Sequence, residues 1–199
     1  AQAHTGANSI AVNDTSDAIH PFSPVYDGGQ WIITAWQYLP STLDSLSYLT
    51  VQSYYQHYGP YYFTVELHFT PGQGVYDALR DPSGASALPL IYDQWVEIRI
   101  EVDFEAGWRG TLHEYYNNQL VWTGDWITGS VGQLAIANID LYAPHSAMVY
   151  YDDLSVRPAG ASTLNPQRPL FTGVQYGNLP TRSTNLSGFP NVTWNSSFN

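Results

Sequence analysis

The chain contains no cysteine and no lysine. Without cysteine it can form neither a disulfide, nor a thiolate metal site, nor a thiol nucleophile. Without lysine it has no Schiff-base or P-loop lysine chemistry, because all six basic residues are arginine. Its 17 acidic residues bring the net charge to −11, and because phosphate backbones attract basic surfaces, we expect no nucleic-acid binding. No apolar run approaches the roughly 18 residues of a membrane span, so we expect no membrane insertion.

Charged residues are also scarce, at 12% of the chain, whereas aromatic residues reach 15%. The chain is rich in Tyr, Trp, Thr and Ser, which favour β structure over helix. Neutral polar and aromatic surfaces suit an extracellular protein, and we expect a secreted or cell-surface location.

Short segments with alternating apolar and polar side chains recur along the chain. The clearest is 95–104, in which apolar residues from Val96 onward form one face and charged residues form the other. Asn117 and Asn118, which tolerate positive φ, lie between two such segments and predict a hairpin. No stretch longer than a turn has the period of an amphipathic helix. The pattern predicts an antiparallel sandwich of roughly ten to twelve strands, including residues 31–39, 48–54, 61–69, 95–104, 112–116, 120–122, 134–141 and 148–156.

The composition changes after Arg157. Residues 158–199 contain no Asp or Glu and are rich in Pro, Asn, Ser, Thr and Gly, which predicts an extended tail. Large apolar side chains within the tail argue against a fully solvated segment. We therefore divide the chain into a β-sandwich over residues 1–157 and an extended tail over 158–199 that packs on its own or a neighbouring subunit.

An extended piece of this tail could cover a sheet edge by strand addition. The candidate pieces are Leu170–Tyr176 and Phe189–Trp194. Added to its own subunit, the piece would close the sandwich. Added head-to-tail to the next subunit, it would build a filament from copies of the chain. A flexible stalk is the alternative.

Four segments carry a family resemblance: HTGANSIAV (4–12), DQWVEIRIEVDFEAG (93–107), LHEYYNNQLVWTGDW (112–126) and YYDDLSV (150–156). Together they resemble the concanavalin A-like (LamG-type) jelly-roll modules of secreted bacterial proteins. The resemblance covers residues 4–157 and implies an all-β, antiparallel jelly-roll sandwich. It does not imply one function, because such modules include lectins, carbohydrate-binding modules, glycosidases and spacers. The chain departs from the family in lacking room for the strand that normally precedes residues 4–12.

Glu101, Asp103 and Glu105 match the Glu-x-Asp-x-Glu signature of jelly-roll β-glucanases, and they would be the catalytic residues if the protein were an enzyme. Strand geometry, however, separates positions 101 and 105 by about 13 Å. A retaining pair of carboxyl groups lies only about 5 Å apart, and Arg99 offers Glu101 an ordinary ion-pair partner. We therefore predict a solvated strand face and no catalytic residue.

The resemblance also implies a structural Ca²⁺ at Asp152 and Asp153, near the end of the sandwich domain. In similar carbohydrate-binding modules an Asp here holds Ca²⁺ against the N-terminal segment. Calcium takes six to eight oxygen ligands, and further ligands could come from Asn8, Asn13, Asp14 and Asp17. The alternative is an Asp pair that is hydrogen-bonded or solvated without a metal. The six His residues have no zinc-ligand spacing.

Aromatic and polar residues on three of the predicted strands suggest a sugar-binding surface. Sugars stack on aromatic rings and form hydrogen bonds with neighbouring polar groups. Cross-strand packing of the Tyr residues is the alternative. If the three strands share one surface, its ligand-binding residues are Tyr48, Tyr54, Tyr62, Glu66, His68, Arg99, Glu101 and Asp103.

Four Asn-x-Ser/Thr sequons would be glycan acceptors in a secreted protein. Three of them lie within the last fifteen residues. The acceptors are Asn13, Asn185, Asn191 and Asn195.

Taken together, the sequence favours a secreted, non-catalytic, lectin-like carbohydrate-binding or adhesion module whose partner is a polysaccharide or glycan. The alternative is a structural subunit of an extracellular filament or sheath, assembled through its tail. A third hypothesis is a glycoside hydrolase or polysaccharide lyase.

Overall fold

Two antiparallel β-sheets pack face to face in the protein, as its computed structural model shows. The structure describes residues 2–14, 16–145 and 148–160 in full, and the backbone of 175–178 and 182–185. Strand is the only regular secondary structure among these residues, so the predicted all-β, antiparallel jelly-roll sandwich is confirmed. Within the same residues no helix has the length or the apolar character that crossing a membrane would require.

The strands divide between a six-stranded and a seven-stranded sheet. In spatial order, the six-stranded sheet contains β1 (Ile10–Val12), β11 (Val149–Pro158), β3 (Gln30–Tyr38), β7 (Trp95–Asp103), β8 (Thr111–Tyr116) and β9 (Gln119–Asp125). The seven-stranded sheet contains β13 (Arg182–Asn185), β12 (Gln175–Asn178), β2 (Asp17–Asp27), β10 (Ala135–Tyr142), β4 (Ser47–Tyr55), β5 (Tyr61–Thr70) and β6 (Gly74–Asp77).

The core lies between the two sheets and follows the alternation in the sequence. Every second residue of β7, from Val96 to Val102, is buried, and the residues between them face outward. β4 and β5 contribute the facing layer from the other sheet. Each fully buried Val, Leu or Ile side chain stabilises the fold by about 1.5–3 kcal/mol; the layer from these two strands contains Leu49, Val51, Val65, Leu67 and Phe69.

The hairpin between β8 and β9 forms where the two asparagines predict it. Asn117 and Asn118 have φ values of 49° and 59°, and the flanking strands pair directly around them. Both central residues of a two-residue hairpin turn of this type need positive φ, and Asn adopts positive φ more readily than most residues.

β2 is a long strand that the sequence did not predict, because Pro21 and Pro24 interrupt its pattern. The structure accommodates both prolines at an irregularity in the ladder with β10. Asn138 pairs with Pro21 and Ile136 with Tyr26, so four residues of β2 lie opposite a single residue of β10. Proline is tolerated there because it need not donate a ladder hydrogen bond.

Segments near both ends of the chain, β1 and β12, take part in the sheets. β1 pairs with β11 at one edge of the six-stranded sheet. In the seven-stranded sheet, the backbone of β12 pairs with β2 of the same chain, with Tyr176 opposite Ala18. Most of the region 158–199 lies outside the described residues, so the domain boundary and the packing of the tail stay predictions.

Candidate functional site

The residues predicted to share one ligand surface lie on two different sheets. Arg99, Glu101 and Asp103 belong to β7 in the six-stranded sheet, whereas the predicted Tyr, Glu and His residues belong to β4 and β5 in the seven-stranded sheet. The outward faces of a sandwich point in opposite directions. The prediction of a single surface is therefore wrong, because alternation shows which residues of a strand share a face but not which sheet the strand joins.

The carboxylates of β7 make ordinary surface contacts. Glu101 Oε1 lies 2.9 Å from Arg99 Nε, and Asp103 accepts a hydrogen bond of 2.8 Å from Gln30 Nε2. Glu105 lies beyond the end of the strand, where its backbone N–H donates to Asp103 Oδ1 at 2.8 Å. This arrangement does not bring Glu101, Asp103 and Glu105 together as a glucanase pair.

The outward face of the seven-stranded sheet holds an aromatic row. Directly paired residues share a face, and the row runs across five strands in the order Asp17, Tyr142, Tyr48, His68 and Tyr76. The Tyr142 and Tyr48 rings are stacked, with centroids 5.6 Å apart and planes within 8°. Tyr48 meets the edge of His68 at 4.6 Å, and His68 lies 5.3 Å from Tyr76. Tyr142, Tyr48 and His68 are half-buried, whereas Asp17 and Tyr76 at the two ends of the row are buried.

Both ring nitrogens of His68 have partners on this face. Nε2 lies 2.8 Å from Glu66 Oε1, and Nδ1 lies 3.4 Å from the hydroxyl of Tyr76. Burial, together with the nearby Glu66, Tyr142 and Tyr76, raises the pKa of Tyr48. The Tyr48 hydroxyl therefore stays protonated at neutral pH and is available as a hydrogen-bond donor.

A polar row lies next to the aromatic row. Asp140, Thr50 and Glu66 pair in register across three strands, and Asn138 and Gln52 form the next pair. Asn138 Nδ2 donates to Gln52 Oε1 at 3.2 Å. The polar row thus places carboxyl, hydroxyl and amide groups directly beside the aromatic rings.

The carboxyl groups of Asp17 and Asp140 are close neighbours on this face. Burial, followed by the hydrogen bond and charge of Asp17, raises the pKa of Asp140 well above its ordinary value. Burial also raises the pKa of Asp17, although its hydrogen bond with Asp140 opposes the shift. Both carboxyl groups are therefore harder to ionise than the carboxyl group of an exposed Asp.

Tyr48, Glu66 and His68 come together as predicted, but Tyr54 and Tyr62 do not join them. Two register shifts between β4 and β5 interrupt the alternation after Val51. Beyond the shifts, the rings of Tyr54 and Tyr62 contact each other at 5.5 Å.

The β10 residues of the site were missed by the sequence analysis. Residues 134–141 read as a nearly continuous apolar run, although Asn138, Asp140 and Tyr142 alternate within and just after it. That alternation was the available signal.

Asp152 and Asp153 bind the N-terminal segment. Asp152 Oδ2 accepts hydrogen bonds from the backbone N–H groups of His4 at 2.8 Å and Thr5 at 3.1 Å. Asp153 Oδ2 lies 2.7 Å from His4 Nδ1, and Asp153 Oδ1 accepts the Thr5 hydroxyl at 2.5 Å. The His4 ring stacks on Trp36 at 3.8 Å. The oxygens that Ca²⁺ would need are thus occupied by N–H and O–H donors.

Calcium at Asp152 and Asp153 stays a prediction. The described part of the chain contains no group of three or more His, Cys, Asp or Glu residues that could hold a metal ion. Two of the proposed additional ligands lie elsewhere: Asp17 is on the seven-stranded sheet, and Asp14 pairs with His145 at 2.9 Å.

The glycosylation sites also stay predictions. Asn13 lies in the turn between β1 and β2, where its Oδ1 accepts the Ser16 hydroxyl at 3.2 Å. Only the backbone of Asn185 is described, within β13. Asn191 and Asn195 lie outside the described residues.

No protein-family model matches the chain, and no curated protein matches it. Among solved structures, an endo-β-1,4-glucuronan lyase from the fungus Trichoderma reesei is similar with a TM-score of 0.48 and 11% identity, over 84% of this chain and 93% of that one. The carbohydrate recognition domain of Emp47p gives 0.47 and 12%, over 78% and 83%. The carbohydrate-binding module CBM66 from Bacillus subtilis gives 0.44 and 10%, over 77% and 94%. At these values the likenesses carry no information about function.

Proposed function

We propose that the protein is a non-catalytic module that binds an uncharged glycan on the outward face of its seven-stranded sheet. The observation that carries the proposal is the aromatic row lying beside the polar row. Glycan-binding surfaces combine ring faces, which contact the C–H faces of a sugar, with polar groups that fix its hydroxyls. Both elements are present here within a few positions of each other.

The stacked pair Tyr142 and Tyr48 would provide the platform for a sugar ring. The two rings are nearly parallel and only half-buried. Glu66 accepts hydrogen bonds, and the Tyr48 hydroxyl donates them. Because His68 is held between Glu66 and Tyr76, its ring is oriented before a ligand arrives, which lowers the entropic cost of binding.

The charge of the face favours a neutral ligand. Asp17, Glu66 and Asp140 all lie on it. The Arg residues whose side chains the structure describes lie elsewhere: Arg99 and Arg157 are on the six-stranded sheet, and Arg80 and Arg109 bind backbone carbonyls of residues 125–127. A polyuronate would meet like charges, and no Arg side chain that the structure describes lies on this face to offset them.

The same charge argument disfavours a polysaccharide lyase acting on uronates. Proton removal beside a carboxylate creates a second negative charge, which catalysis must stabilise with a positive or hydrogen-bond-donating group. The carboxyl groups of the face would oppose that charge.

A glycan array followed by calorimetry tests the proposal. We expect neutral glycans to bind and polyuronates not to bind, and we expect Tyr48→Ala and Tyr142→Ala each to weaken binding by at least tenfold. Tyr115→Ala is the matched control, because Tyr115 lies under Arg99 on the other sheet. Unchanged binding in both variants, or binding of polyuronates alone, would refute the proposal, and release of unsaturated uronate ends would show a lyase.

A further inference from the structure

Several oxygen atoms on the outward face of the seven-stranded sheet lack a hydrogen-bond donor. They are Asp17 Oδ1, Thr50 Oγ1, Asn138 Oδ1 and Asp140 Oδ1. Asp17, Thr50 and Asn138 are 7%, 6% and 0% exposed, so bulk water does not replace the missing partners. Buried polar atoms in folded proteins are nearly always partnered, and each exception calls for an explanation.

The four oxygens belong to neighbouring positions. Thr50 lies directly opposite Asp140 across β4 and β10, which places their Cβ atoms about 5 Å apart. Asn138 is two residues before Asp140 on the same strand and therefore on the same face. Asp17 pairs with Tyr142, one position further along that face, and its carboxyl group hydrogen-bonds that of Asp140.

The group that would satisfy these oxygens must be a hydrogen-bond donor or a cation. Carboxylate and amide oxygens are acceptors only, and the amide nitrogen of Asn138 is already committed to Gln52. Asp17 and Asp140 can hydrogen-bond each other only if one of them keeps a proton, and no other described side chain donates to either of them. Among the residues whose side chains the structure describes, no Arg reaches this face. Within that part of the chain nothing supplies a compensating charge, and a bound cation would supply it.

We propose that Asp17, Asp140, Thr50 and Asn138 form a binding site for a hard divalent cation, for which Ca²⁺ is the best fit. All four candidate ligands are oxygens, which is the ligand set of Ca²⁺ rather than of zinc or copper. Two carboxylates would match its charge, and the hydroxyl and amide oxygens would add neutral ligands. The site is distinct from Asp152 and Asp153, which lie on the six-stranded sheet.

The test uses the full chain after removal of metals by a chelator, and it needs no glycan. Titration with Ca²⁺ should raise the melting temperature, because an ion that binds only the folded state stabilises it. Terbium(III), used as a luminescent substitute for Ca²⁺, should show emission sensitised by the neighbouring Tyr48 and Tyr142 rings.

Two matched variants assign the response to one site. Asp140→Asn should reduce the affinity for Ca²⁺ at least tenfold and abolish the sensitised emission, whereas Asp153→Asn should leave both unchanged. If Asp140→Asn fails to fold by circular dichroism, Asp17→Asn replaces it in the same comparison.

Three results would overturn the proposal. The first is a wild-type protein with neither a melting shift nor emission, which would mean that the pair holds only a shared proton. The second is a response lost in Asp153→Asn and kept in Asp140→Asn, which would move the ion to the other sheet. The third is a response unchanged in both variants. Because glycan binding is measured separately, failure here leaves the proposed function standing.

Discussion

Two pairs of carboxyl groups are buried in the described part of the chain, and a described arginine side chain reaches only one of them. Asp77 and Glu114, 1% and 0% exposed, lie at one end of the sandwich where β6 of one sheet approaches β8 of the other. Arg80 Nη1 lies 2.5 Å from Asp77 Oδ2 and 3.8 Å from Glu114 Oε1. Asp17 and Asp140 have no such residue among those described.

The presence of Arg80 beside one carboxyl pair distinguishes a cluster that only stabilises the fold from the proposed ligand-binding site. A buried acid that serves only the fold gains by having its counter-charge in the same chain, because an uncompensated buried charge is strongly destabilising. Arg80 also donates to the backbone carbonyl of Asp125 at 2.7 Å, so it joins the strands at this end of the sandwich. Among the residues whose side chains the structure describes, the pair on the outward face has no such counter-charge, which the proposed cation would supply.

Removing the arginine should have the largest effect. Arg80→Met leaves Asp77 and Glu114 buried without a cation, and we expect the free energy of unfolding to fall by about 3–5 kcal/mol. Urea denaturation measures it. Arg99→Met, which breaks exposed ion pairs on the six-stranded sheet, is the control and should cost less than about 1 kcal/mol. Equal losses in the two variants would contradict the structural role of Arg80.

Replacing Glu114 should change the pH dependence of stability. Burial, followed by the charge of Asp77, raises the pKa of Glu114 well above its ordinary value of 4.5, against the opposing effect of Arg80. The folded state then holds a proton that the unfolded state releases, so wild-type stability falls as the pH rises from about 4.5 towards the raised value. Each unit by which folding raises the pKa of Glu114 changes the free energy of unfolding by about 1.4 kcal/mol over this pH range.

In Glu114→Gln this contribution disappears, since Gln does not titrate. Urea unfolding at pH 5 and pH 8 should therefore show a smaller loss of stability in the variant than in the wild type. Asp17 and Asp140 titrate in both proteins and cancel in the comparison. An identical loss in the two proteins would show that Glu114 is ionised in the folded state.

The smallest effect is expected at Glu101. Glu101→Gln removes a surface ion pair with Arg99, and we expect a change in stability within about 0.5 kcal/mol and no change in glycan binding. Thermal denaturation and the calorimetric titration check both values. A large loss of either would mean that the six-stranded sheet also carries a functional surface.

The strands were largely predictable because their main signal is local. Alternation located β7, and Asn117 and Asn118 located the hairpin after it. β2 was missed because Pro21 is tolerated only at an irregularity in the pairing of β2 with β10. Local patterns do not contain that information.

The site was only partly predictable for a related reason. Tyr48, Glu66 and His68 were found from alternation within single strands. Asp140 and Tyr142 join them only because β10 lies beside β4, and Arg99 was wrongly added because the sequence does not show which sheet receives β7. Sheet membership depends on pairing between distant segments.

The position of β10 and β11 inside their sheets also sets the order in which the protein can fold. β11 lies between β1 and β3, β10 lies between β2 and β4, and the N-terminal contact from His4 to Asp152 joins residues 148 positions apart. During synthesis, β4 to β6 and β7 to β9 can form early from local contacts. The six-stranded sheet cannot be completed until residue 158 has left the ribosome, and the seven-stranded sheet cannot be completed until residue 185 has left it. Folding dominated by such distant pairings is slow, and the nascent chain exposes open strand edges throughout that delay.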